Sequence, residues 1–349
     1  MPRSSAPTRR LFLRAGAGLA AALALRPLSA AAQTAVRFSL DWRFEGPAAP
    51  FTLALDKGYF KAEGLDVTIE PGAGSREPIA RVASGAYDIG FGDMNSLVRF
   101  RDENPAAGLK AVMMIYDRPP FAIVGRRSRG VTEAVSSLRR RRIGAPAQDA
   151  TYAQWPLFKT VNGIDEKEWN IQIENVGFPV REPMLAQGEV DAVLGFSMTS
   201  FIGLKSRGVP ADDIVVMAMS DHGVELYGNA ILVGQKFAAE KPEAVRGFLR
   251  AVVKGLRDTA ADPSAAVDTV MRRNEVARKD VELERLAMVL RQNILTPWVR
   301  ENGVGGIDRA RFEKALDQIG LAYPYKAKPK PEDVFDDRFL PPPEERKVD

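Results

Sequence analysis

Apolar and polar positions recur along the chain with two periods, near 2 and near 3.6. Val36-Arg37-Phe38-Ser39-Leu40 alternates and predicts a first strand. Over 48–60 the apolar residues Phe51, Leu55 and Phe60 return at helical spacing, and the stretch ends near Gly58 and Gly64. Residues 65–70 predict a second strand. Ser75-Arg76-Glu77-Pro78 predicts a helix start, with Ser75 as its cap and Pro78 in its first turn. A buried strand over 88–92, a helix over 95–102 and a strand over 110–116 follow. This βαβαβ order at short spacing predicts an α/β fold, with a parallel sheet covered by helices on both faces.

The pattern then restarts. Strands are predicted at 142–145, 169–176, 191–195 and 214–219, with helices at 149–162 and 180–187 between them. SGAYDIGFGDMNSL (84–97) and QGEVDAVLGFSMTS (187–200) are alike: a helix ends at Gly, a small-plus-acidic pair follows, then an apolar strand and a polar turn. That internal similarity predicts two related lobes. A strand at 230–233 precedes helices at 243–260, 265–274, 281–295 and 309–319. The tail from Lys326 is rich in Pro and charge. Its apolar pairs Val334-Phe335 and Phe339-Leu340 are costly to leave in water, so the tail is expected to dock back on a lobe.

Composition narrows the chemistry. The 349 residues are 45% hydrophobic and 27% charged, an ordinary globular balance long enough for two domains. Zero cysteine excludes thiol nucleophiles, disulfides and Cys-ligated metals. A single histidine, His222, leaves little room for a His-ligated metal or a His–His pair. The net charge of +4 hints at a polyanion partner until its distribution is read. Residues 1–32 have a charged start, an apolar run over 15–25 and the small residues Ala30, Ala31 and Ala32, which is the pattern of a secretory signal. The apolar run is too short to span a bilayer. Thr8-Arg9-Arg10-Leu11-Phe12-Leu13-Arg14 fits the twin-arginine (Tat) export pattern, and a Sec signal carrying two arginines is the alternative. The leader holds five arginines and no acid, so its removal after Ala32 takes the net charge from +4 to −1. No cysteine follows the apolar run, so no lipidation is expected. The expectation is a free periplasmic protein with no nucleic-acid partner.

Catalytic motifs are absent: there is no G-x-S-x-G, no H-E-x-x-H and no P-loop. His222 lies beside Ser220, Asp221 and Glu225, but triad members meet in space rather than in sequence. Four polar strand-to-helix turns attract more interest: Gly72-Ala73-Gly74-Ser75, Gly92 to Ser96 with Asp93 and Asn95, Ala145 to Thr151 with Asp149, and Gly195 to Thr199. Helix N-termini present free N–H groups, and open α/β sheets bind ligands at the carboxyl ends of their strands. Asp41-Trp42-Arg43-Phe44-Glu45 follows the first strand and suits a flat or cationic ligand by stacking or cation–π contact. Core packing is the competing role for its aromatics. Glu225 and Tyr227 add a carboxylate and a phenol just before the strand at 230. Arg139 to Arg142 reads as a solvated face.

The segment LDWRFEGPAAPFTLALDKGYFKAEGLDVTIEPGAGS, followed by VASGAYDIGFGD, resembles the solute-binding proteins of ABC importers in the nitrate/sulfonate/taurine and thiamine-pyrimidine-precursor group. ELYGNAILV (225–233) and DVFDDRFLP (333–341) resemble that group's crossover strand and closing tail. The likeness implies a two-lobed periplasmic-binding-protein fold of type II. One lobe would be residues 35–123 plus 228–349 and the other 124–227, with crossover strands near 121–125 and 227–233. It implies a hinged monomer that closes on one small ligand and docks on a membrane permease. It implies no catalytic residue, cofactor or metal. The group's pocket positions fall on Trp42, Gly74, Ser75, Asp93, Met94, Asn95, the 149–151 turn with Asp149 and Thr151, and Glu225; Glu45 and Tyr227 stand beside them. Trp42 would stack the ligand and Glu225 would accept from an amino or ring N–H. The expected ligand is an aminopyrimidine or related N-heterocycle; a sulfonate, taurine or nitrate anion, or an exported enzyme on this fold, are the alternatives. A eukaryotic pyrimidine synthase shares the fold but has a Cys-rich motif and a consumed histidine, and this chain departs from it on both counts.

Overall fold

The computed structural model describes residues 33–348. The expected export leader and its cleavage site lie outside these residues. Two five-stranded sheets form the frame. Ten strands make them: β1 (Thr34–Ser39), β2 (Leu65–Glu70), β3 (Ile89–Asp93), β4 (Lys110–Met114), β5 (Phe121–Arg126), β6 (Arg142–Ala145), β7 (Gln172–Asn175), β8 (Ala192–Phe196), β9 (Ile214–Ala218) and β10 (Asn229–Val233). The first sheet runs β2-β1-β3-β10-β4 and the second β7-β6-β8-β5-β9.

The two orders are the same pattern. β1 pairs in parallel with β2 and β3, as β6 does with β7 and β8. The segments 84–97 and 187–200 place β3 and β8 at the same position in their sheets, as their likeness predicts. The expectation of a parallel sheet is corrected in one respect. β10 is antiparallel to β3 and β4, and β5 is antiparallel to β8 and β9. Each of these strands arrives from the opposite sheet, so it enters running the other way. The chain passes between the sheets at 115–120 and returns at 219–228.

Local rules explain most boundaries. The stretch 48–60 splits into helices Ala49–Asp56 and Tyr59–Ala62, because Gly58 sits at φ 72° between them. Asp93 caps the helix Met94–Glu103 by accepting from the Asn95 and Ser96 amides at 3.2 and 2.8 Å. Ser75 is not a cap: the helix begins at Glu77, with Arg76 at its N-cap position and no side-chain cap bond. The helix Pro242–Ala261 lays Phe248, Leu249 and Val252 on the first sheet, where Phe248 meets Phe38 and Phe60. The tail docks as expected. Phe335 bridges to Ala111, the Asp336 amide donates to the Ala111 carbonyl at 2.8 Å, and Val334, Phe335 and Phe339 are buried. Among the described residues, no helix is long and apolar enough to cross a membrane.

Candidate ligand-binding site

The carboxyl ends of β1 in the first sheet and of β6 and β8 in the second face one cleft, whose free space is about 570 Å³ with the open solvent at its mouth counted in. β1 leads into Leu40 and then Asp41 to Glu45. The turn 72–75 lies directly on this segment: the Gly72 amide donates to the Trp42 carbonyl at 3.1 Å and the Gly74 amide to the Asp41 carbonyl at 2.9 Å. A Cβ on Gly72 would stand 2.2 Å from the Leu40 carbonyl oxygen, so only glycine permits this approach. From the second lobe come Asp149, Phe178, Arg181 and Phe196. The Trp42 and Phe178 rings meet across the cleft, 5.0 Å between centroids and tilted by 57°. Arg43 is exposed at the mouth, 5.2 Å from the Trp42 ring centroid.

Two buried polar atoms of the walls, Trp42 Nε1 and the Tyr116 hydroxyl, make no full hydrogen bond among the described residues, and Glu45 Oε2 has an ion-pair partner, Arg285, but no hydrogen bond of its own. Buried polar atoms in native proteins are nearly always partnered, so these mark where a ligand or water completes the set. Glu45 is held from behind. Its Oε2 lies 3.5 Å from the Arg285 guanidinium, which Glu282 fixes at 3.0 Å, and Glu282 Oε2 also accepts from the Gly46 amide at 2.6 Å. Burial raises the Glu45 carboxyl above the usual range, with Arg285 opposing, Glu282 reinforcing, and Arg43 and the nearby Trp42 indole N–H opposing more weakly. Asp41 accepts from Asn229 Nδ2 at 2.9 Å. It keeps part of its surface open to the cleft, but protein surrounds it otherwise, and this burial pushes its carboxyl up to about 7.

Arg181 is a cation whose donors are already used. It donates to Asp149 Oδ2 at 2.7 Å, to Glu182 Oε1 at 2.8 Å and to the Leu194 carbonyl at 3.1 Å. Ser200 completes Glu182 at 2.8 Å, and Asp149 also accepts from the Thr151 amide at 2.6 Å. Burial alone would lower the Arg181 pKa; the two carboxylates outweigh it and raise it. The cluster therefore carries two negative charges and one positive against the cleft.

Of the residues expected at the site, Trp42, Glu45, Gly74, Ser75 and Asp149 line the cleft. The other five lie elsewhere. Asp93 and Asn95 are buried at their own helix start, and Asn95 Nδ2 donates to the Tyr227 carbonyl at 2.7 Å. Thr151 is fully buried and forms no part of the wall. Glu225 is exposed on the return connection, its amide donating to Gln318 Oε1 at 2.8 Å, so it is not placed to accept from a ligand in the cleft. Tyr227 is fully buried, and its hydroxyl accepts from the Asp308 amide at 2.8 Å. Phe44 packs partly on the core. His222 is away from the cleft, with its ring edge against Phe158. The pattern missed Asp41 as a wall residue, and it missed Tyr116, Phe178 and Arg181. Asp41 stood inside the segment singled out; the other three carry no local signal.

Comparison with solved structures identifies the architecture. The alkanesulfonate-binding protein SsuA from Xanthomonas axonopodis pv. citri superimposes with a TM-score of 0.66 at 14% identity, over 89% of this chain and 99% of that one. The ligand-binding component of an ABC-type import system from Staphylococcus aureus gives 0.63 at 11% identity, over 88% and 98%. The fold is thus the two-lobed periplasmic-binding-protein architecture. The family model described as NMT1/THI5 like matches residues 47–266, and the chain belongs to that family. Its curated relatives include the riboflavin-binding protein RibY of Chloroflexus aurantiacus, 26% identical over 84% of this chain and 82% of RibY. A formylaminopyrimidine-binding protein of Halalkalibacterium halodurans is 25% identical over 81% and 84%. A 4-amino-5-hydroxymethyl-2-methylpyrimidine phosphate synthase of Aspergillus parasiticus is 25% identical over 67% and 69%.

Proposed function

We propose that this chain is an extracytoplasmic solute-binding protein that captures a flat, N–H-bearing heterocycle between its lobes and delivers it to an ABC permease. One observation carries the ligand class. The cleft offers an aromatic pair, Trp42 and Phe178, beside a donor that makes no full hydrogen bond, Trp42 Nε1, and an acceptor, Glu45 Oε2, that is ion-paired to Arg285 at 3.5 Å but not hydrogen-bonded. A planar ring whose edge holds an adjacent acceptor and N–H donor matches that set. The 5.0 Å between the rings is too close for a ring inserted between them, which needs about 7 Å, so stacking there requires the lobes to part. The pyrimidine and isoalloxazine binders among the relatives support a heterocycle. An anion finds less: Arg181 is consumed by Asp149 and Glu182, and the remaining cation on the wall, Arg43, stands exposed at the mouth. A binding role rather than the synthase's is favoured by a chain without cysteine and by His222 standing away from the cleft. The leader pattern supports a periplasmic, unlipidated protein, and the family resemblance supports a monomer.

The test is native mass spectrometry of the protein purified from its own periplasm, followed by melting curves with riboflavin, a formylaminopyrimidine, an alkanesulfonate and nitrate. A heterocycle should raise the melting temperature without turnover, and Trp42→Ala should weaken it about tenfold or more. Stabilisation by the anions alone, or product formed from any stabilising ligand, refutes the reading.

A further inference from the structure

The two connections between the sheets, 115–120 and 219–228, run side by side. The Gly228 amide donates to the Tyr116 carbonyl at 2.9 Å, and a side chain on Gly228 would stand 2.7 Å from the Tyr116 Cβ. One guanidinium reaches both. Arg311, on the helix Arg309–Ala322, donates to Asp117 Oδ1 at 2.8 Å and to the Asp117 carbonyl on the first connection. It also donates to the Leu226 carbonyl on the second at 3.1 Å. Its plane lies over the Tyr227 ring, 4.0 Å from the centroid. Asp117 is 4% exposed, and its second carboxylate oxygen accepts from Thr296 Oγ1.

The neighbouring residues are held as well. Arg118 and Asn293 exchange two bonds: the Arg118 amide donates to the Asn293 carbonyl at 3.1 Å, and Asn293 Nδ2 donates to the Arg118 carbonyl at 3.0 Å. Asn293 sits in the π-helical turn Leu290–Ile294. Pro119 and Pro120 follow, with φ fixed by their rings. On the second connection Gln318, also from Arg309–Ala322, accepts from the Glu225 amide and donates to the Gly223 carbonyl, both at 2.8 Å. Hinges work by letting a few torsions change while the lobes stay rigid. Here 117–120 and 223–226 are each fixed by side chains or by ring closure.

We propose that Arg311 is a positioning residue that pins the two connections to each other and so confines the lobes to one opening path. It touches no wall of the cleft, so it acts on the ligand only through closure. The idea applies to the fold's motion and can be tested without ligand, so its failure is separate from failure of the import reading. Because the chain has no cysteine, Lys61→Cys and Lys167→Cys, exposed and one on each lobe, accept spin labels cleanly. Interlobe distances are then read by double electron–electron resonance in the ligand-free protein. Arg311→Gln should broaden the distribution about twofold and add longer distances. Asp117→Asn, which keeps the shape and removes the charge pair, should broaden it less. Arg311→Lys, unable to fork to both connections, should fall between wild type and Arg311→Gln. If Arg311→Gln does not fold, Asp117→Asn decides. A distribution unchanged in the folded variants, even with a lower melting temperature, overturns the proposal, because a merely structural residue would lower stability and leave the distances alone.

Discussion

Asp41→Asn tests the electrostatics of the cleft. The wild-type carboxyl titrates near 7 in the folded chain and near 3.8 when unfolded, because burial disfavours its charged form. A raised pKa in the folded state means that folding takes up a proton. The resulting stability is fully present below about 4 and is lost as pH rises through 7. Between pH 8 and pH 5 the folded state gains about 2.5 kcal/mol from this group. That figure is an upper one, since Asp41 keeps surface open to the cleft and water screens it there. The asparagine carries no charge, and its carbonyl still accepts from Asn229 Nδ2. Melting curves of both proteins at pH 5 and pH 8 isolate the term, because every other titrating group is common to the pair. At pH 8 the variant should melt higher than wild type by about 5 °C more than it does at pH 5, taking about 2 °C per kcal/mol for a chain of this size. A difference between the two proteins that is the same at both pH values refutes the argument.

The remaining predictions concern packing. Arg181→Met leaves Asp149 and Glu182 buried without their cation and should cost about 3–5 kcal/mol in urea unfolding; a loss below about 1 kcal/mol would mean that the cluster does not hold the second lobe's wall. Phe335→Ala should cost about 3 kcal/mol and speed hydrogen exchange at the Asp336 amide, which donates to Ala111. Unchanged protection there would show that the tail docks without this side chain.

What the pattern revealed follows from where each signal lies. The alternation at 36–40 and the repeat of 84–97 in 187–200 are local, and both correspond to strands with the expected places in their sheets. The antiparallel entry of β5 and β10 is not local: each pairs with strands far away in sequence, and nothing within FAIVGR or NAILV states its direction. The site divides in the same way. Turns at strand ends are visible, but Asp93 and Asp149 are the same kind of residue in the same kind of turn. One closes on its own helix start, and the other also meets Arg181, from a helix 32 residues on. Phe178 belongs to the wall only because the second lobe stands opposite Trp42, and that depends on both connections at once. Glu225 and Tyr227 follow the same logic in reverse. They precede a central strand, and the helix Arg309–Ala322, whose position no local pattern fixes, holds the connection they lie on.

The charges of the cleft bear on the proposed preference for a heterocycle over an anion. Helix N-termini at strand ends supply free amides, which suit nitrate or a sulfonate. In this chain two of those N-termini are answered internally, since Asp93 takes the Asn95 and Ser96 amides and Asp149 takes the Thr151 amide. The buried cation that might replace them, Arg181, is neutralised twice over by Asp149 and Glu182. What is left at the walls without a full hydrogen bond is Glu45 Oε2, backed by Arg285, together with Trp42 Nε1 and the Tyr116 hydroxyl, one carboxylate oxygen beside two groups that donate. An anion brought there meets Glu45 and Asp41 and gains few amides in exchange. A neutral ring with an N–H beside a lone pair meets a partner for each. On the proposed function the carboxylates would act on selectivity twice: they take up helix N-terminal amides and the buried Arg181 guanidinium, and they leave an acceptor suited to a donor-bearing ligand.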